Sequence, residues 1–365
     1  MPVTVVCLKE TAAGERRVAI TPETAKKLAA LGAQVRVARD AGADAGFPDA
    51  AYEAAGGADG AAALAEADLL LCVQSPDAAT LAKLKPGAVI VGMLAAHAPG
   101  DREAALASRG ATAFAMEKLP RTTRAQAMDV LSSQAGMAGY KAVLLGAQLA
   151  PRFFPMLSTA AGTIRPSKVL VVGAGVAGLQ AIATARRLGA QVEGFDVRPE
   201  TREQIESLGG KFLDLGVSAA GSGGYARELS AEERALQQQR LADHLKGIDV
   251  VVCTAAVPGR AAPKIITAAM VAGMKPGSVV VDLAAETGGN CELTTPGENV
   301  QHGGVTVAGP LNLASSGAVH ASEMYARNLL NFVSLFLKDG AIALDWNDEL
   351  IEKSCWVRAP AAATA

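Results

Sequence analysis

A glycine-rich turn between two strand-like segments is the feature that most constrains what this chain can fold into. Val169–Val172 is a short apolar run rich in β-branched residues, which predicts a buried parallel strand. Gly173, Gly175 and Gly178 follow in a G-x-G-x-x-G pattern, and residues 179–188 are predicted to form a helix. A strand, a glycine turn and a helix in this order are typical of a nucleotide-binding α/β unit.

Each glycine of the turn has a separate physical reason. Gly173 permits the tight turn, Gly175 lets the backbone approach a pyrophosphate, and Gly178 lets the helix pack closely on the strand. The helix N-terminus adds unpaired N–H groups and a partial positive charge, which favour an anion. The motif therefore predicts a site for a dinucleotide.

An acidic residue closes the next predicted strand, Val192–Phe195. The carboxylate of Asp196 is placed to accept hydrogen bonds from the 2′-OH and 3′-OH of the adenosine ribose. A 2′-phosphate would meet this negative charge, so we expect NAD(H) rather than NADP(H). Arg198 argues in the opposite direction, because a nearby arginine can accommodate a 2′-phosphate.

The whole-chain composition limits the class of protein. A chain of 365 residues is long enough for two domains. Its 34 basic and 36 acidic residues give a formal charge of −2, and no basic block is present, which argues against a nucleic-acid or anionic-membrane partner.

Cysteine usage and the chain start indicate the compartment. The five cysteines are scattered without a C-x-x-C pair, so we expect reduced core cysteines and no metal site. The chain starts on a strand-like segment, not on a signal-peptide pattern, and no apolar run is long enough to span a membrane. We therefore expect a cytoplasmic protein.

Strand-like runs alternate with alanine-rich helical stretches in two series, which predicts an α/β fold of two Rossmann-like, doubly wound parallel-sheet domains with a cleft between them. Residues 1–132, completed by 318–365, form the first predicted domain, and residues 133–317 form the nucleotide domain. One helix is predicted over Leu131–Leu149 and another over Val319–Lys338. The predicted strands are Val3–Leu8, Val35–Ala38, Leu69–Val73, Val89–Val91 and Thr112–Ala115, then Val169–Val172, Val192–Phe195, Val250–Thr254, Val279–Leu283 and Val305–Val307.

One loop in the nucleotide domain is rich in Gly, Ser and Ala. It covers residues 216–224, leads to Tyr225, and precedes Ser230 and Glu233, which form the signature of a helix-capping box. The composition is compatible with a mobile lid over the nucleotide and equally with an ordinary surface loop.

Several blocks resemble the NAD(H)-binding peripheral component of proton-translocating nicotinamide nucleotide transhydrogenase, in the alanine dehydrogenase/transhydrogenase family. The most specific is Pro120–Gln134. Lys9–Glu10 with Glu15–Pro22 near the start also matches, and this opening is shared with alanine dehydrogenases. The likeness runs essentially end to end. The other matching blocks are Gly139–Ala142, Val169–Phe212, Cys253–Arg260 and Asp282–Asn290.

The resemblance implies that Arg121, Gln126, Asp129 and Ser132 orient the nicotinamide ring and its carboxamide. An amide offers one acceptor and two donors, so a mixed set of donor and acceptor side chains suits it. A surface ion pair between Arg121 and Asp129 is the alternative. Tyr225 matches the tyrosine of the family's mobile loop. The predicted cofactor contacts are Gly173, Gly175, Val176, Ala177, Gly178, Asp196, Val197, Arg198, Thr254, Ala255, Ala256 and Glu286.

Alanine dehydrogenase is the main rival, because oxidation of an amino acid needs cations for the substrate carboxylate and a proton-handling base. Gln74 stands where that family has a lysine, and His97 lies about one position from the expected histidine, although Arg17 is present. Direct hydride transfer between two nicotinamide rings needs only alignment and exclusion of water, and this fits the sequence better. A non-catalytic NAD-sensing relative is a third interpretation.

The resemblance implies a specific activity and set of partners. The chain is expected to bind NAD(H) and pass a hydride from NADH to NADP+ held by an NADP(H)-binding component. Membrane proton-channel subunits would couple this transfer to proton translocation. The same resemblance implies a homodimer that lies on the inner face of the cell membrane through its partner subunits.

Overall fold

The computed structural model describes residues 2–55, 63–219, 227, 229–256 and 259–359. The strands are β1 (Thr4–Cys7), β2 (Gln34–Val37), β3 (Leu69–Gln74), β4 (Val89–Met93), β5 (Thr112–Ala115), β6 (Leu157–Thr159), β7 (Gly162–Ile164), β8 (Lys168–Val172), β9 (Gln191–Phe195), β10 (Lys211–Phe212), β11 (Val250–Cys253), β12 (Val279–Asp282), β13 (Asn299–His302), β14 (Val305–Ala308), β15 (Leu337–Lys338), β16 (Ala341–Ile342) and β17 (Cys355–Val357). The α-helices are α1 (Pro22–Ala30), α2 (Ala78–Leu81), α3 (Arg102–Ser108), α4 (Val130–Leu149), α5 (Val176–Arg187), α6 (Thr201–Ser207), α7 (Ala231–Leu245), α8 (Ala268–Ala272), α9 (Ala318–Val333) and α10 (Glu349–Ser354). Short 3₁₀ helices cover Ala43–Ala45, Asp49–Ala55, Leu64–Glu66, Met116–Lys118, Thr123–Met128, Ala285–Thr287 and Leu313–Gly317.

The chain divides into two compact units, residues 1–134 with 315–365, and residues 135–314. The first unit contains a six-stranded sheet in the order β17-β5-β4-β3-β1-β2. Its strands are parallel except β17, which the C-terminal segment adds antiparallel to β5. The strand order reverses between β1 and β3, and ligands of doubly wound sheets bind at such a switch point.

Both faces of this sheet are buried, which explains why its strands read as continuous apolar runs. One face packs with α1 and α9 into a core that includes an aromatic cluster. In this cluster the ring of Phe114 on β5 lies 5.4 Å from that of Phe332, 5.7 Å from that of Phe336 and 6.2 Å from that of Trp346. The C-terminal segment therefore contributes to the core of the first unit as well as to its sheet.

The second unit contains a seven-stranded sheet in the order β10-β9-β8-β11-β12-β14-β13. Its strands are parallel except β13, which pairs antiparallel with β14. Residues of α4 and α5 cover one face, and residues of α7 and α8 cover the other. The sheet switches direction at β8, where β9 lies on one side and β11 on the other.

The predicted fold class, a two-sheet doubly wound α/β protein, is confirmed. The capping box predicted from Ser230 and Glu233 is also confirmed: each side chain accepts a hydrogen bond from the backbone N–H of the other residue, and α7 begins at Ala231. None of the helices in the described part of the chain combines the length and the apolar character that a membrane span requires.

The prediction for the last long helix is wrong at its end. The helix α9 stops at Val333 rather than at Lys338. Leu337 and Lys338 instead form β15, which pairs antiparallel with β16. Asp339 and Gly340 make the turn between the two strands with φ angles of 49° and 73°, which a right-handed helix does not use.

Candidate functional site

The glycine turn lies at the carboxyl end of β8, the strand at which the second sheet switches direction. Gly173 has a φ of +95°, a conformation that glycine adopts at little cost. The Gly173 N–H donates to Phe195 O at 2.8 Å, which joins the turn to the end of β9. The turn is thus held at the switch point of the sheet, where β8 lies between β9 and β11.

The space available for a side chain differs between Gly175 and Gly178. A Cβ atom on Gly178 would overlap the carbonyl oxygen of Gly173, so this glycine permits the close approach of α5 to the turn. A Cβ atom on Gly175 would meet nothing within 4 Å. The backbone at Gly175 is therefore open on the side that a phosphate would approach.

The start of α5 has the features of an anion site. Gly175 is the N-cap residue and supplies no side chain to cap the first N–H groups. Val176 at the first helical position is 45% exposed, and Ala177 is half-buried. A helix end of this kind, with its partial positive charge, fits the pyrophosphate of a dinucleotide.

A glycine of the preceding helix brings α4 close to this site. A Cβ atom on Gly139 would overlap the carbonyl oxygen of Ala177, so α4 passes directly against the first turn of α5. The resemblance includes Gly139, but the sequence alone did not reveal this packing role, because the two residues lie in different helices.

Asp196 is buried at the end of β9 and is saturated with hydrogen bonds. Its Oδ2 accepts from Ala174 N–H at 2.7 Å and Arg198 Nη2 at 2.7 Å. Its Oδ1 accepts from the backbone N–H and the Nε of Arg198, both at 2.9 Å. Burial raises the pKa of the Asp196 carboxyl, but the hydrogen bonds from Arg198 and Ala174 more than offset it, so this pKa lies below its ordinary 3.8.

This geometry adds a condition to the predicted role of Asp196. A carboxylate offers about four acceptor positions, and the four hydrogen bonds above occupy them. A ribose diol can bind Asp196 only if the Arg198 guanidinium gives up its place. Val197, between the two, is half-buried, and its carbonyl oxygen accepts from Ala219 N–H at 2.7 Å.

The loop after β11 carries Thr254, Ala255 and Ala256 beside the glycine turn. Thr254 N–H donates to Val172 O at 2.8 Å, and its hydroxyl lies 2.9 Å from Gly173 O. Ala256 is exposed, while Thr254 and Ala255 are half-buried. The loop therefore packs against the turn at the same edge of the sheet.

Two buried residues hold this edge together, and although the resemblance includes both, sequence reasoning assigned neither of them a role. The amide of Asn290 accepts from Ala255 N–H at 3.0 Å and donates to Ala255 O at 2.7 Å and Pro263 O at 2.9 Å. Asp282, at the end of β12, accepts from the N–H groups of Ala284 and Cys291 at 3.0 and 2.9 Å. Asp282 could have been recognised from the sequence, because it is an acid at the end of a valine-rich strand.

The remaining predicted cofactor residue is Glu286, in the 3₁₀ helix Ala285–Thr287. It is exposed, and its Oε1 accepts from Asn312 N–H at 2.6 Å. Tyr225 lies outside the residues that the structure describes.

The four residues predicted for the nicotinamide lie in the first unit. Arg121 and Gln126 are exposed, the latter in the 3₁₀ helix Thr123–Met128. Asp129 is half-buried where this 3₁₀ helix meets α4. Its carboxylate accepts from Ser132 N–H at 2.9 Å and from the Ser132 hydroxyl at 2.6 Å. The structure therefore brings Asp129 and Ser132 together as a cap at the start of α4.

A buried ion pair lies near the switch point of the first sheet. Arg17 Nη2 and Nε donate to Glu15 at 2.6 and 2.7 Å, and both side chains are almost fully buried. Arg17 Nη1 donates to Gln134 Oε1 at 2.9 Å, and Gln74 Nε2 donates to Glu15 Oε2 at 3.1 Å. Gln74 thus adds an amide and no positive charge beside Glu15.

A second carboxylate, which is half-buried, lies beside this pair. Glu10 accepts from the N–H groups of Val73 and Gln74 at 2.6 and 3.1 Å. Burial raises the pKa of Glu10 from 4.5 to about 7, although both N–H donors lower it. The resemblance includes Glu10 in its opening block, but the sequence did not predict the contacts of this carboxyl.

The residues predicted for the nicotinamide include no histidine. His97 is exposed on the loop after β4. His244, at the end of α7, makes a short contact with Glu193 on β9, and this contact lowers the pKa of Glu193 despite the opposing effect of burial. All five cysteines are free, and four of them are buried. The described part of the chain holds no cluster of three or more His, Cys, Asp or Glu side chains suited to a metal.

The second unit is that of a dinucleotide-binding, doubly wound α/β protein, with the glycine turn at the switch point of its sheet. The sequence matches the N-terminal domain of the alanine dehydrogenase/PNT family over residues 6–138 and its C-terminal domain over residues 142–363. The chain belongs to this family, which confirms the resemblance seen in the sequence.

Relatives within the family differ in their distance from this chain. It is 46% identical over 364 residues to the first part of NAD(P) transhydrogenase subunit alpha of Rhodospirillum rubrum, with 96% of this chain and 95% of the relative covered. The crystal structure of transhydrogenase from Sinorhizobium meliloti superposes with a TM-score of 0.89 at 44% identity and covers 98% of this chain and 99% of that chain. Alanine dehydrogenase of Halomonas elongata is 33% identical over 294 residues, with 79% of this chain and 74% of the relative covered.

Proposed function

We propose that this chain is the NAD(H)-binding component of a proton-translocating NAD(P)+ transhydrogenase and passes hydride from NADH to NADP+ bound on a partner component. The observation that carries the proposal is the glycine turn at the switch point of the second sheet, with open backbone at Gly175 and an acid, Asp196, at the end of the next strand. The near end-to-end similarity to transhydrogenase alpha subunits selects this activity among NAD-binding families.

The residues present fit NAD(H). The first turn of α5, with Val176 and Ala177, binds the pyrophosphate. Asp196 binds the adenosine ribose when Arg198 turns away, and Val197 lies beside it. Thr254, Ala255, Ala256 and Glu286 complete the proposed contacts at the same edge of the sheet.

Arg121, Gln126, Asp129 and Ser132 are the proposed ligands of the nicotinamide end. When bound, the dihydronicotinamide ring supplies the hydride. The protein residues hold the carboxamide, fix the ring and exclude water, and no protonating side chain is required. Asp129 and Ser132 already share two hydrogen bonds, so one can orient the other. Tyr225 stays a predicted contact of the bound nucleotide.

The proposed activity requires two kinds of partner subunit. An NADP(H)-binding component receives the hydride, and membrane proton-channel subunits hold this chain at the inner face of the membrane and couple transfer to proton movement. The chain itself is proposed to be a homodimer. A candidate dimer surface is the hairpin β6–β7 and the segment before it, where Phe153, Met156, Leu157 and Ile164 are exposed.

The test combines binding with turnover. Titration of NADH fluorescence should detect binding by the chain alone, and hydride transfer to NADP+ should appear only after the NADP(H)-binding component is added. Arg121→Ala and Gln126→Ala should slow transfer more than they weaken NADH binding, because alignment matters most in the transition state.

Two results would contradict the proposal. Formation of NADH from NAD+ and alanine by the chain alone would instead make it an alanine dehydrogenase. Binding of NADH without any transfer in the presence of the partner component would leave a nucleotide-sensing relative.

A further inference from the structure

The carbonyl oxygen of Ala127 receives hydrogen bonds from two side chains of the same helix. Asn328 Nδ2 and Asn331 Nδ2, three residues apart on α9, both donate to Ala127 O at 2.9 Å. Ala127 is near the end of the 3₁₀ helix Thr123–Met128, where carbonyl groups lack helical N–H partners. A carbonyl oxygen has two lone pairs, so it can accept both hydrogen bonds at once.

The same segment is fixed on both sides of Ala127. On the C-terminal side, Asn328 Oδ1 accepts from the Ser133 hydroxyl at 2.7 Å. On the N-terminal side, Arg124 forms a bidentate pair with Asp348, in which Nη1 and Oδ1 lie 2.8 Å apart. These contacts tie the segment to the C-terminal region of the chain, which is about 200 residues away in sequence.

Two buried side chains provide the apolar component of this attachment. Ala125 and Met128 belong to the core of the first unit. Gln126 is exposed between them, and Asp129 is half-buried after them. The segment therefore buries two of its apolar side chains, is held at its carbonyl by amides, and presents its polar side chains outward.

From this geometry we propose that Asn328, Asn331 and Asp348 are positioning residues for hydride transfer. They fix the backbone between Arg124 and Ser133, and through it the side chains of Gln126 and Asp129 that act on the nicotinamide. The inference rests on the proposed function and deepens it. None of the three residues is proposed to touch the coenzyme.

Rigid support of this segment matters because hydride transfer depends on ring alignment. A displacement of about 1 Å can cost on the order of 100-fold in rate, whereas binding, which is spread over the pyrophosphate and adenosine contacts, changes little. Loss of the support should therefore appear in kcat and not in the affinity for NADH.

The experiment uses the full chain with its NADP(H)-binding partner. Asn331→Ala removes one donor from an exposed side chain, so the fold should persist. Asp348→Asn weakens the pair with Arg124 but retains the side-chain oxygen that caps α10 by accepting from Leu350 N–H at 2.9 Å. Asn299→Ala is the matched control, because Asn299 is exposed on the edge strand β13 of the second unit.

We expect Asn331→Ala to lower kcat about fivefold or more and Asp348→Asn to lower it by a similar factor. The two substitutions together should lower kcat further. The dissociation constant of NADH should stay within about twofold of that of the unaltered chain. Asn299→Ala should behave like the unaltered chain. The thermal unfolding midpoint, measured in parallel, separates misalignment from unfolding.

Unchanged kcat in both variants would overturn the inference while the proposed function stands. So would a fall in kcat matched by an equal loss of NADH binding, because that pattern indicates a purely structural role. An unaltered chain that binds NADH yet transfers no hydride with its partner would overturn both the inference and the proposed function.

Discussion

Asp196 joins two regions of the proposed coenzyme site, since its carboxylate holds Ala174 of the glycine turn and is itself held by Arg198. Asp196→Asn keeps an oxygen for the Ala174 N–H but removes the negative charge. We expect NADH to bind about tenfold more weakly and the preference over NADPH to shrink, because a 2′-phosphate no longer meets a carboxylate. Fluorescence titration with both coenzymes measures this.

Asp243→Asn is the control for this substitution, because Asp243 is an exposed acid of the same unit that pairs with Lys246. It should leave both affinities unchanged. Equal affinities of the unaltered chain and Asp196→Asn for NADH would remove Asp196 from the site.

Glu10 makes the stability of the first unit depend on pH. Its folded pKa of about 7 exceeds the ordinary 4.5, so its contribution to stability is complete below pH 4.5 and is lost as the pH rises through 7. A difference of about 2.5 pKa units corresponds to an upper limit of about 3 kcal/mol. Glu10→Gln, which cannot ionise, should flatten the fall in unfolding free energy between pH 5 and pH 8 that the unaltered chain shows.

Glu117→Gln is a matched control for Glu10→Gln. The Glu117 carboxylate also accepts from two backbone N–H groups, those of Leu94 and Ala96, and it is half-buried, as Glu10 is. This variant measures how far the loss of any carboxylate held by two backbone N–H groups alters the unfolding free energy and its dependence on pH. Parallel slopes for the unaltered chain and Glu10→Gln in denaturant unfolding would contradict the prediction.

At the scale of single residues, the sequence predicted side chains whose roles follow from local pattern. The glycines and Asp196 are examples, because the turn and the strand end define their places. The contact of His244 with Glu193 was not predictable, since the partners are 51 residues apart and meet only when α7 packs on the sheet. Asn290 and Asn328 were missed for the same reason.

Among the helices and strands, the close packing of α5 on the turn after β8 gives the sharpest test of the glycine motif. Gly178→Ala places a methyl group on the carbonyl oxygen of Gly173 and should destabilise the protein by about 1–3 kcal/mol or more. Gly175→Ala has open space and an ordinary φ of −77°, so the fold should tolerate it. Its methyl group should instead obstruct the pyrophosphate and weaken NADH binding.

Thermal unfolding and NADH titration of the two variants, run side by side, distinguish the two roles. Each glycine serves as the control for the other, because the substitution is the same and the positions are three residues apart. If Gly175→Ala bound NADH normally, the pyrophosphate would not lie at the start of α5.

Element prediction succeeded where burial and local chemistry agreed. Parallel strands that are buried on both faces read as apolar runs, so β8 and β11 were visible in the sequence, and the capping box marked the start of α7. The short hairpins β6–β7 and β15–β16 carry no such pattern: the strands β6 and β7 are exposed on all six residues. Periodicity cannot reveal a strand that has no buried face.

Across the whole chain, contacts between residues that are far apart in sequence were not predictable from local pattern. The sequence predicted both sheets and the coenzyme class, because each βα unit carries its own signal. The support of the segment at Ala127 depends on α9 and on Asp348 near the C-terminus, and such long-range pairing exists only in the folded chain. The proposed homodimer likewise depends on surface that the fold leaves exposed.

The exposed hairpin permits a test of the proposed homodimer. Leu157 and Ile164 are directly paired across β6 and β7 and are 36% and 45% exposed, with Phe153 and Met156 close by in sequence. Sedimentation should give the unaltered chain twice the mass of one 37.1 kDa chain. The double variant Leu157→Ser with Ile164→Ser should shift the equilibrium to the monomer, because it removes apolar area that a second copy would bury.

The control is Leu208→Ser, at another exposed apolar position of the same unit, and this variant should remain dimeric. A dimer of unchanged affinity in the double variant would place the interface elsewhere, and a monomeric unaltered chain would refute the homodimer itself.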